Sequence, residues 1–451
     1  MTISSGLLPS SSTMVVERLI GVSSEALSPV LEDWATRSKE PVKIVIVSDE
    51  RLAEKTAADL AFFNKRVGEN RSRLSIHQLP AIETYVEDLA AQFDAGSEQF
   101  AVLNEIRVAK EGASVVIVAT IEALAQSAPD PKVLAALQIE LKVGTEYGFH
   151  RLLEDLARLD YDHEGLCEAP GQFAKRGGLI DVYPITSDIP YRVDFFGNEI
   201  ESIKAIDPVS QRSGESVHSI ALTASPRMDI EKAKNGILDY LETSVAWALA
   251  EPESLVESLD RYSPEGTDRI EGRFWNRLRT SRSNKSDTWT TFSDLDLETD
   301  ADSRISTTFE TESLDFYRSY PDESKLADER LADEQAARIR FLEKLQEWES
   351  NDERIIIVLP SENDERRIKE IFQETKSLGK LKPVFWRGDL NEGFRIRFRQ
   401  NLGRLNWPSL DTCKGAVFVT ETELYGRRRN RKVTLRKRAL VAQSQVDQLL
   451  D

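Results

Sequence analysis

Two cysteines and four histidines in 451 residues leave little material for thiol or metal chemistry. Cys167 and Cys413 are far apart in the chain and make no disulfide framework, which fits a reducing cytoplasm. His163 and Cys167 have helical spacing, but zinc wants three or four ligands and a third is missing. His77, His150 and His218 are scattered, and no nucleophile-and-base arrangement stands out. Long apolar runs are lacking too. No stretch approaches the ~18 apolar residues that span a bilayer, so no membrane partner is expected. The opening MTISSGLLPSSSTMVV has neither the basic start nor the apolar core of a signal peptide, and the expectation is a cytoplasmic protein.

Positive charge is in short supply. There are 59 Lys and Arg against 77 Asp and Glu, a net charge of −18. Such a chain repels nucleic acid on average, and a DNA contact would need a local basic patch. One such patch exists, RRRNRKVTLRKR at 427–438, with eight basic residues in twelve. No aromatic side chain interleaves there for base stacking. The run reads either as a solvated linker or as a contact for nucleic acid or an acidic partner.

What is present is enough apolar sequence, 40%, for several cores, and a length that fits two to four domains at roughly 100–200 residues each. VKIVIV (42–47) and SVVIVAT (114–120) are buried-strand patterns. Each is followed by helical spacing, as in ERLAEKTAADLAFFNKRV (50–67) and IEALAQSA before Pro129. Strand and helix in alternation predict an α/β fold with a parallel sheet. After about residue 138 the texture changes to short alternating runs broken by turn chemistry at Gly177-Gly178, Ser187-Asp188 and Gly197-Asn198. YRVDFF and EIESIKAID predict a β-hairpin across Gly197-Asn198 within a small inserted β-rich domain. Residues 276–313, rich in Ser, Thr and Asp, read as mostly linker with one returning strand. A long charged helix at 323–350, with Phe341 and Leu345 on its apolar side, is followed by RIIIVLP and GAVFVTETELYG, which predicts a second small α/β domain.

Residues 18–30, RLIGVSSEALSPV, have the outline of a phosphate-binding loop. A working loop needs G-x-x-x-x-G-K-S/T, with glycines that turn backbone amides toward phosphate, a lysine for the β/γ oxygens and a hydroxyl for Mg²⁺. Here Gly21 and Ser28 keep the first and last positions, while Ala26 and Leu27 replace the second glycine and the lysine, and Glu25 adds negative charge. No other stretch completes the motif. The residues alone fit either an ordinary turn or a decayed loop. IVIVSDE (44–50) has the outline of a magnesium-holding strand end, but without a phosphate loop it reads as a helix start capped by Ser48.

The strand pattern at 191–196 is more informative. Alternation puts Arg192, Asp194 and Phe196 on one face and Tyr191, Val193 and Phe195 on the other. An arginine, an aspartate and a phenylalanine on one face read as a protein-binding surface, an aromatic anchor flanked by charges. The plainer reading is a surface strand with one stray apolar residue.

The stretch AKRGGLIDVYPITSDIPYRVDFFGNEIESIKAIDPVSQRS (174–213) resembles the UvrA-binding domain shared by the excinuclease subunit UvrB and the transcription-repair coupling factor family. SVVIVATIEALAQSAPDP resembles the strand and helix that precede that domain in both families, and VFVTETELYGRRR resembles the coupling factors in particular. The resemblance implies a degenerate helicase-like α/β domain whose first part is 1–137, with an inserted UvrA-binding domain at 138–223. It further implies the remainder of the first domain plus linker at 224–322, a small α/β domain at 323–430 and a basic tail at 431–451.

It also implies UvrA as partner, with Arg176, Arg192 and Phe196 on contact positions and Asp194, Phe195 and Arg212 as neighbours. The loop at Gly21, Ala26, Leu27 and Ser28 occupies the slot of the UvrB phosphate loop, which makes it a decayed one. UvrB also has a tyrosine-rich hairpin, where this sequence offers Tyr85 alone. The expectation is therefore a UvrA-recruiting module without ATPase activity or cofactor, acting in excision repair of stalled transcription. ATP, magnesium, RNA polymerase and DNA would engage the family's C-terminal domains, before which this sequence stops; a fragment and a stand-alone regulator remain alternatives. A UvrB-like ATPase subunit is the competing expectation.

Overall fold

A computed structural model of the chain describes residues 16–66, 74–82, 89–109, 113–187, 189–207, 210–226, 236–255, 278, 286–296, 306–317, 327–374 and 381–425. Tyr85 and the basic run at 427–438 lie outside the described residues. The described residues divide into two compact units, one drawn from within 16–78, 109–121 and 243–425 and the other from within 79–108 and 122–242. The change of texture at 137/138 is therefore not where the compact units divide. Helix Leu89–Val108 precedes that change in sequence yet belongs with the β-rich unit.

The first unit holds a seven-stranded sheet. Its order is Ser306–Thr308, Val16–Ile20, Thr288–Ser293, Val245–Ala250, Val42–Ile46, Val115–Ala119 and Ser75–Leu79. The first six strands pair in parallel. Val42–Ile46, Val115–Ala119 and Val245–Ala250 are buried along their whole length, as strands covered on both faces must be. Helix Leu27–Arg37 follows Val16–Ile20 and Glu50–Arg66 follows Val42–Ile46, the α/β alternation expected from the sequence.

The described part of 276–313 contains the returning strand and two more, so it is more strand than the linker reading expected. Thr288–Ser293 is an interior strand between Val16–Ile20 and Val245–Ala250. Trp289 stacks on Trp247 with ring centroids 5.2 Å apart, and Phe292 packs edge-on against Trp34 at 5.9 Å. The threonines that made the segment look like a loop are β-branched and suit a strand, and Thr290 accepts a hydrogen bond from the Trp34 indole.

The helix at Glu50–Arg66 is capped by Asp49 rather than by Ser48. The Asp49 carboxylate accepts the Leu52 N–H at 2.9 Å, and the Ser48 hydroxyl donates to Asp49. A carboxylate is also the better partner for the helix dipole.

The same unit holds a mixed five-stranded sheet in the order Glu310–Ser313, Phe394–Arg397, Gly415–Val419, Glu353–Leu359 and Val384–Arg387. Helix Ala327–Ser350 buries Phe341, Leu345 and Trp348 against one face of it. The other face shares a continuous core with the larger sheet, where Phe63 meets Trp407, Phe394 and Phe418. Phe309 alone separates the strand that joins the larger sheet from the strand that joins the smaller one.

The second unit carries a six-stranded sheet in the order Ser213–Val217, Glu199–Ile206, Tyr191–Phe196, Leu179–Val182, Gln172–Arg176 and Asp162–His163. The first five strands form an antiparallel meander. The predicted hairpin turns at Gly197, with φ 65°, and pairs Phe196 with Glu199. A short ladder of Ile139–Lys142 with Ser219–Leu222 flanks this sheet.

Candidate protein-binding face

Because side chains alternate along a strand and directly paired residues share a face, the register fixes which residues of the six-stranded sheet stand together. Asp181 pairs with Arg192 and Ala174, and Arg192 pairs with Lys204. The next row toward the turns holds Arg176, Leu179, Asp194 and Ser202. Phe196 lies one step further on the same face. The opposite face carries Ile180, Val193 and Ile203, each fully buried. Phe195 is half-buried on that side, with its ring edge-on to Phe149 at 5.7 Å.

Asp181 organises the polar face. Its side chain is inaccessible to solvent, yet both carboxylate oxygens are engaged by Arg192, from Nε and Nη2 at 2.7 Å each. The third Arg192 nitrogen, Nη1, donates to Ser213 Oγ at 3.1 Å. Donating its hydrogen bonds to Asp181 raises the guanidinium above its ordinary value, against the opposing effect of burial. Arg176 approaches the same carboxylate through Nε at 3.5 Å. A forked pair of this kind fixes an arginine in orientation as well as in charge.

The residues expected from the sequence are thus partly gathered and partly dispersed. Arg176, Arg192, Asp194 and Phe196 share the face. Phe196 is 79% exposed, an unusual position for a large aromatic side chain. Phe195 belongs to the other face, and Arg212 is exposed beyond the end of the hairpin, its carbonyl accepting the Asp207 N–H at 3.0 Å. Asp181, Leu179 and Lys204 were missed as members. The signal was in GLIDVYP, where Leu179 and Asp181 alternate with Ile180 and Val182.

The outline of a phosphate loop is also present, but its backbone is engaged by the protein. Gly21 follows the strand with φ 74°, and helix Leu27–Arg37 begins after Ala26. The Ser23 amide donates to Thr311 Oγ1 at 2.8 Å, and the Thr311 hydroxyl donates to the Gly21 carbonyl at 2.8 Å. The Val22 amide donates to the Ser293 carbonyl and the Ala26 amide to the Ser23 carbonyl. Ala26 and Leu27 are buried in the core, and the Ser28 hydroxyl, also buried, donates to the Thr56 carbonyl at 3.4 Å.

Cys167 is buried with its thiol donating to the Gln172 carbonyl at 3.1 Å, and burial pushes that thiol well above its usual range. His163 is exposed beside Phe173. Among the described residues, no cluster of three or more His, Cys, Asp or Glu side chains is placed to hold a metal ion. Among them, too, no helix is long and apolar enough to cross a membrane.

Residues 139–227 match the UvrB interaction domain. The chain is 29% identical over 260 residues to the transcription-repair-coupling factor of Myxococcus xanthus, covering 55% of this chain and 21% of that protein. It is 29% identical over 235 residues to the transcription-repair-coupling factor of Bacillus subtilis, covering 51% of this chain and 19% of the relative. It is also 28% identical over 187 residues to UvrABC system protein B of Synechocystis, covering 40% of this chain and 27% of the relative. The matched region spans about a fifth of the length of those coupling factors. The chain thus carries a UvrB interaction domain within a module similar to the N-terminal region of the transcription-repair-coupling factors.

Proposed function

We propose that this chain recruits UvrA through the open face of its six-stranded sheet and so serves nucleotide excision repair at stalled transcription. The observation that carries the reading is Phe196, a large aromatic side chain held 79% exposed at a hairpin end and sharing its face with Arg176, Arg192 and Asp194. Interfaces are anchored by such aromatic and arginine side chains. The UvrB interaction domain and the names of the similar proteins support the choice of partner and process.

The module works as an adaptor and hydrolyses no ATP. The loop at Gly21–Ser28 lacks the lysine that would neutralise phosphate, and the Ser23 amide is satisfied by Thr311. RNA polymerase and DNA, on this reading, engage other parts of the coupling machinery.

Calorimetric titration of the intact chain with purified UvrA tests the proposal. The wild type binds, and Phe196→Ala loses about 2 kcal/mol or more of binding free energy with an unchanged melting temperature, because the ring contributes little to the core. A wild type that gives no heat of binding, or a Phe196→Ala variant that binds as tightly, refutes it.

A further inference from the structure

A second large aromatic side chain stands in solvent, and it belongs to the first unit. Phe316, in the single helical turn Asp315–Tyr317, is 91% exposed. The residues that carry it are fixed from below. Leu314 is buried, and Tyr317 stacks on Phe341 with ring centroids 5.8 Å apart and meets Trp348 edge-on at 5.3 Å. The Tyr317 hydroxyl donates to Glu312 Oε1 at 3.2 Å, and the other Glu312 oxygen accepts from Arg395 Nη1 at 3.1 Å. Arg395 is itself forked onto the buried Glu353 carboxylate and lies over the Trp348 ring at 4.5 Å. The ring of Phe316 adds nothing to the core, yet the turn beneath it is held on every side.

Its surroundings are acidic. Asp315 adjoins it in sequence. Burial, then the charges of Glu312 and Glu347, push the Tyr317 hydroxyl above its ordinary value, with Arg395 opposing them. Glu347 is more than half exposed. The nearby cations are already engaged, Arg395 by Glu353 and Glu312 and Lys344 by Glu347 at 2.8 Å.

The most basic stretch of the sequence starts beside this surface. One peptide ties the two places together. The Gly393 carbonyl accepts the Leu314 N–H at 3.4 Å, and the Gly393 N–H donates to Glu423 Oε1 at 3.1 Å. Glu423 stands on helix Glu421–Tyr425, whose Leu424 shares a core with Leu314, Tyr317 and Phe341. Gly426 alone separates that helix from Arg427, Arg428 and Arg429. Even fully extended, at ~3.5 Å per residue, the chain keeps these arginines within about 14 Å of Tyr425.

We propose that the basic run docks on this surface of its own chain, with a guanidinium from 427–429 over the Phe316 ring and its neighbours facing Asp315 and Glu347. Arginine is the favoured cation for an aromatic face, and carboxylates at the rim add to the attraction. A ligand joined to its site by one glycine meets it at high effective concentration, so weak contacts suffice. The run is then neither a solvated linker nor an open nucleic-acid contact. It is an internal ligand that an acidic partner must displace. None of this depends on binding to UvrA.

Two measurements on the intact chain test it. In the first, Phe316 is replaced by the photo-cross-linking residue benzoylphenylalanine, and the irradiated protein is mapped by mass spectrometry. The cross-link falls within 427–433 of the same chain. A cross-link elsewhere in the chain, one that joins two chains, or none at all overturns the proposal. In the second, trypsin cleavage after Arg427, Arg428 and Arg429 is timed at low salt, where it reports the undocked fraction. Phe316→Ala combined with Glu347→Gln is cut there about fivefold faster or more than wild type, with an unchanged melting temperature because neither side chain is in the core. A variant that melts like wild type and is cut no faster overturns the proposal.

Discussion

Replacing Asp59 by asparagine should stabilise the first unit at neutral pH and not at pH 4. Asp59 sits on helix Glu50–Arg66, 1% exposed, facing the turn before strand Phe394–Arg397. Its Oδ1 accepts the Asn391 backbone N–H at 3.0 Å and the Asn391 side-chain amide at 2.8 Å. Burial pushes its carboxyl from 3.8 up to about 6; Lys55 and the two Asn391 hydrogen bonds pull it back in part, and Glu392 pushes it further up. A carboxyl whose folded value is raised binds its proton more tightly in the native state. That contribution is fully present below about pH 4 and is lost as pH rises through about 6.

A rise of about two units corresponds to roughly 3 kcal/mol. Asparagine has the same shape, offers its carbonyl to the same two donors and does not titrate. The stability difference between Asp59→Asn and wild type, from urea unfolding at a series of pH values, should therefore move by about 3 kcal/mol in favour of the variant between pH 4 and pH 7.5. Any fixed offset from the extra amide protons cancels in that comparison. A difference that stays flat with pH, or that moves in favour of wild type, would refute the reasoning.

Two further outcomes follow from the loop at Gly21. Gly21→Ala should destabilise the protein by more than about 1 kcal/mol by chemical denaturation, since φ is 74° and a Cβ would lie 2.2 Å from the Phe309 carbonyl oxygen. Millimolar ATP with magnesium should leave the thermal midpoint of the intact chain unmoved; a rise that grows with nucleotide concentration would mean that the site binds after all.

Strands buried on both faces are legible when they are rich in Val and Ile, as VKIVIV and SVVIVAT are. VAWALA at 245–250 is equally buried but leans on alanine and tryptophan, and carries no period that marks a strand. TWTTFS looks like the polar loop around it, because its burial comes from Trp247 and Trp34, which are distant in sequence. At the face, period-two spacing placed Arg192, Asp194 and Phe196 together because that relation is local. Asp181 was hidden because its significance arises from register. Only the pairing of two strands sets its carboxylate opposite Arg192, and no spacing within one strand reveals that.

The single residue between the two sheets of the first unit limits what the loop at Gly21 could become. The Phe309 amide donates to the Ile20 carbonyl at 2.7 Å, two residues on the Thr311 hydroxyl bridges Gly21 and Ser23, and the Gly403 amide donates to the Thr308 carbonyl. Writing glycine at 26 and lysine at 27 would supply the letters of a phosphate loop without vacating it, because the Ser23 amide is held by the hydroxyl of Thr311, on the segment that ties one sheet to the other. To free that amide, Thr311 would have to change as well. The obstacle to a nucleotide site is thus one of tertiary packing as well as of motif letters, and the two substitutions at 26 and 27 leave it in place.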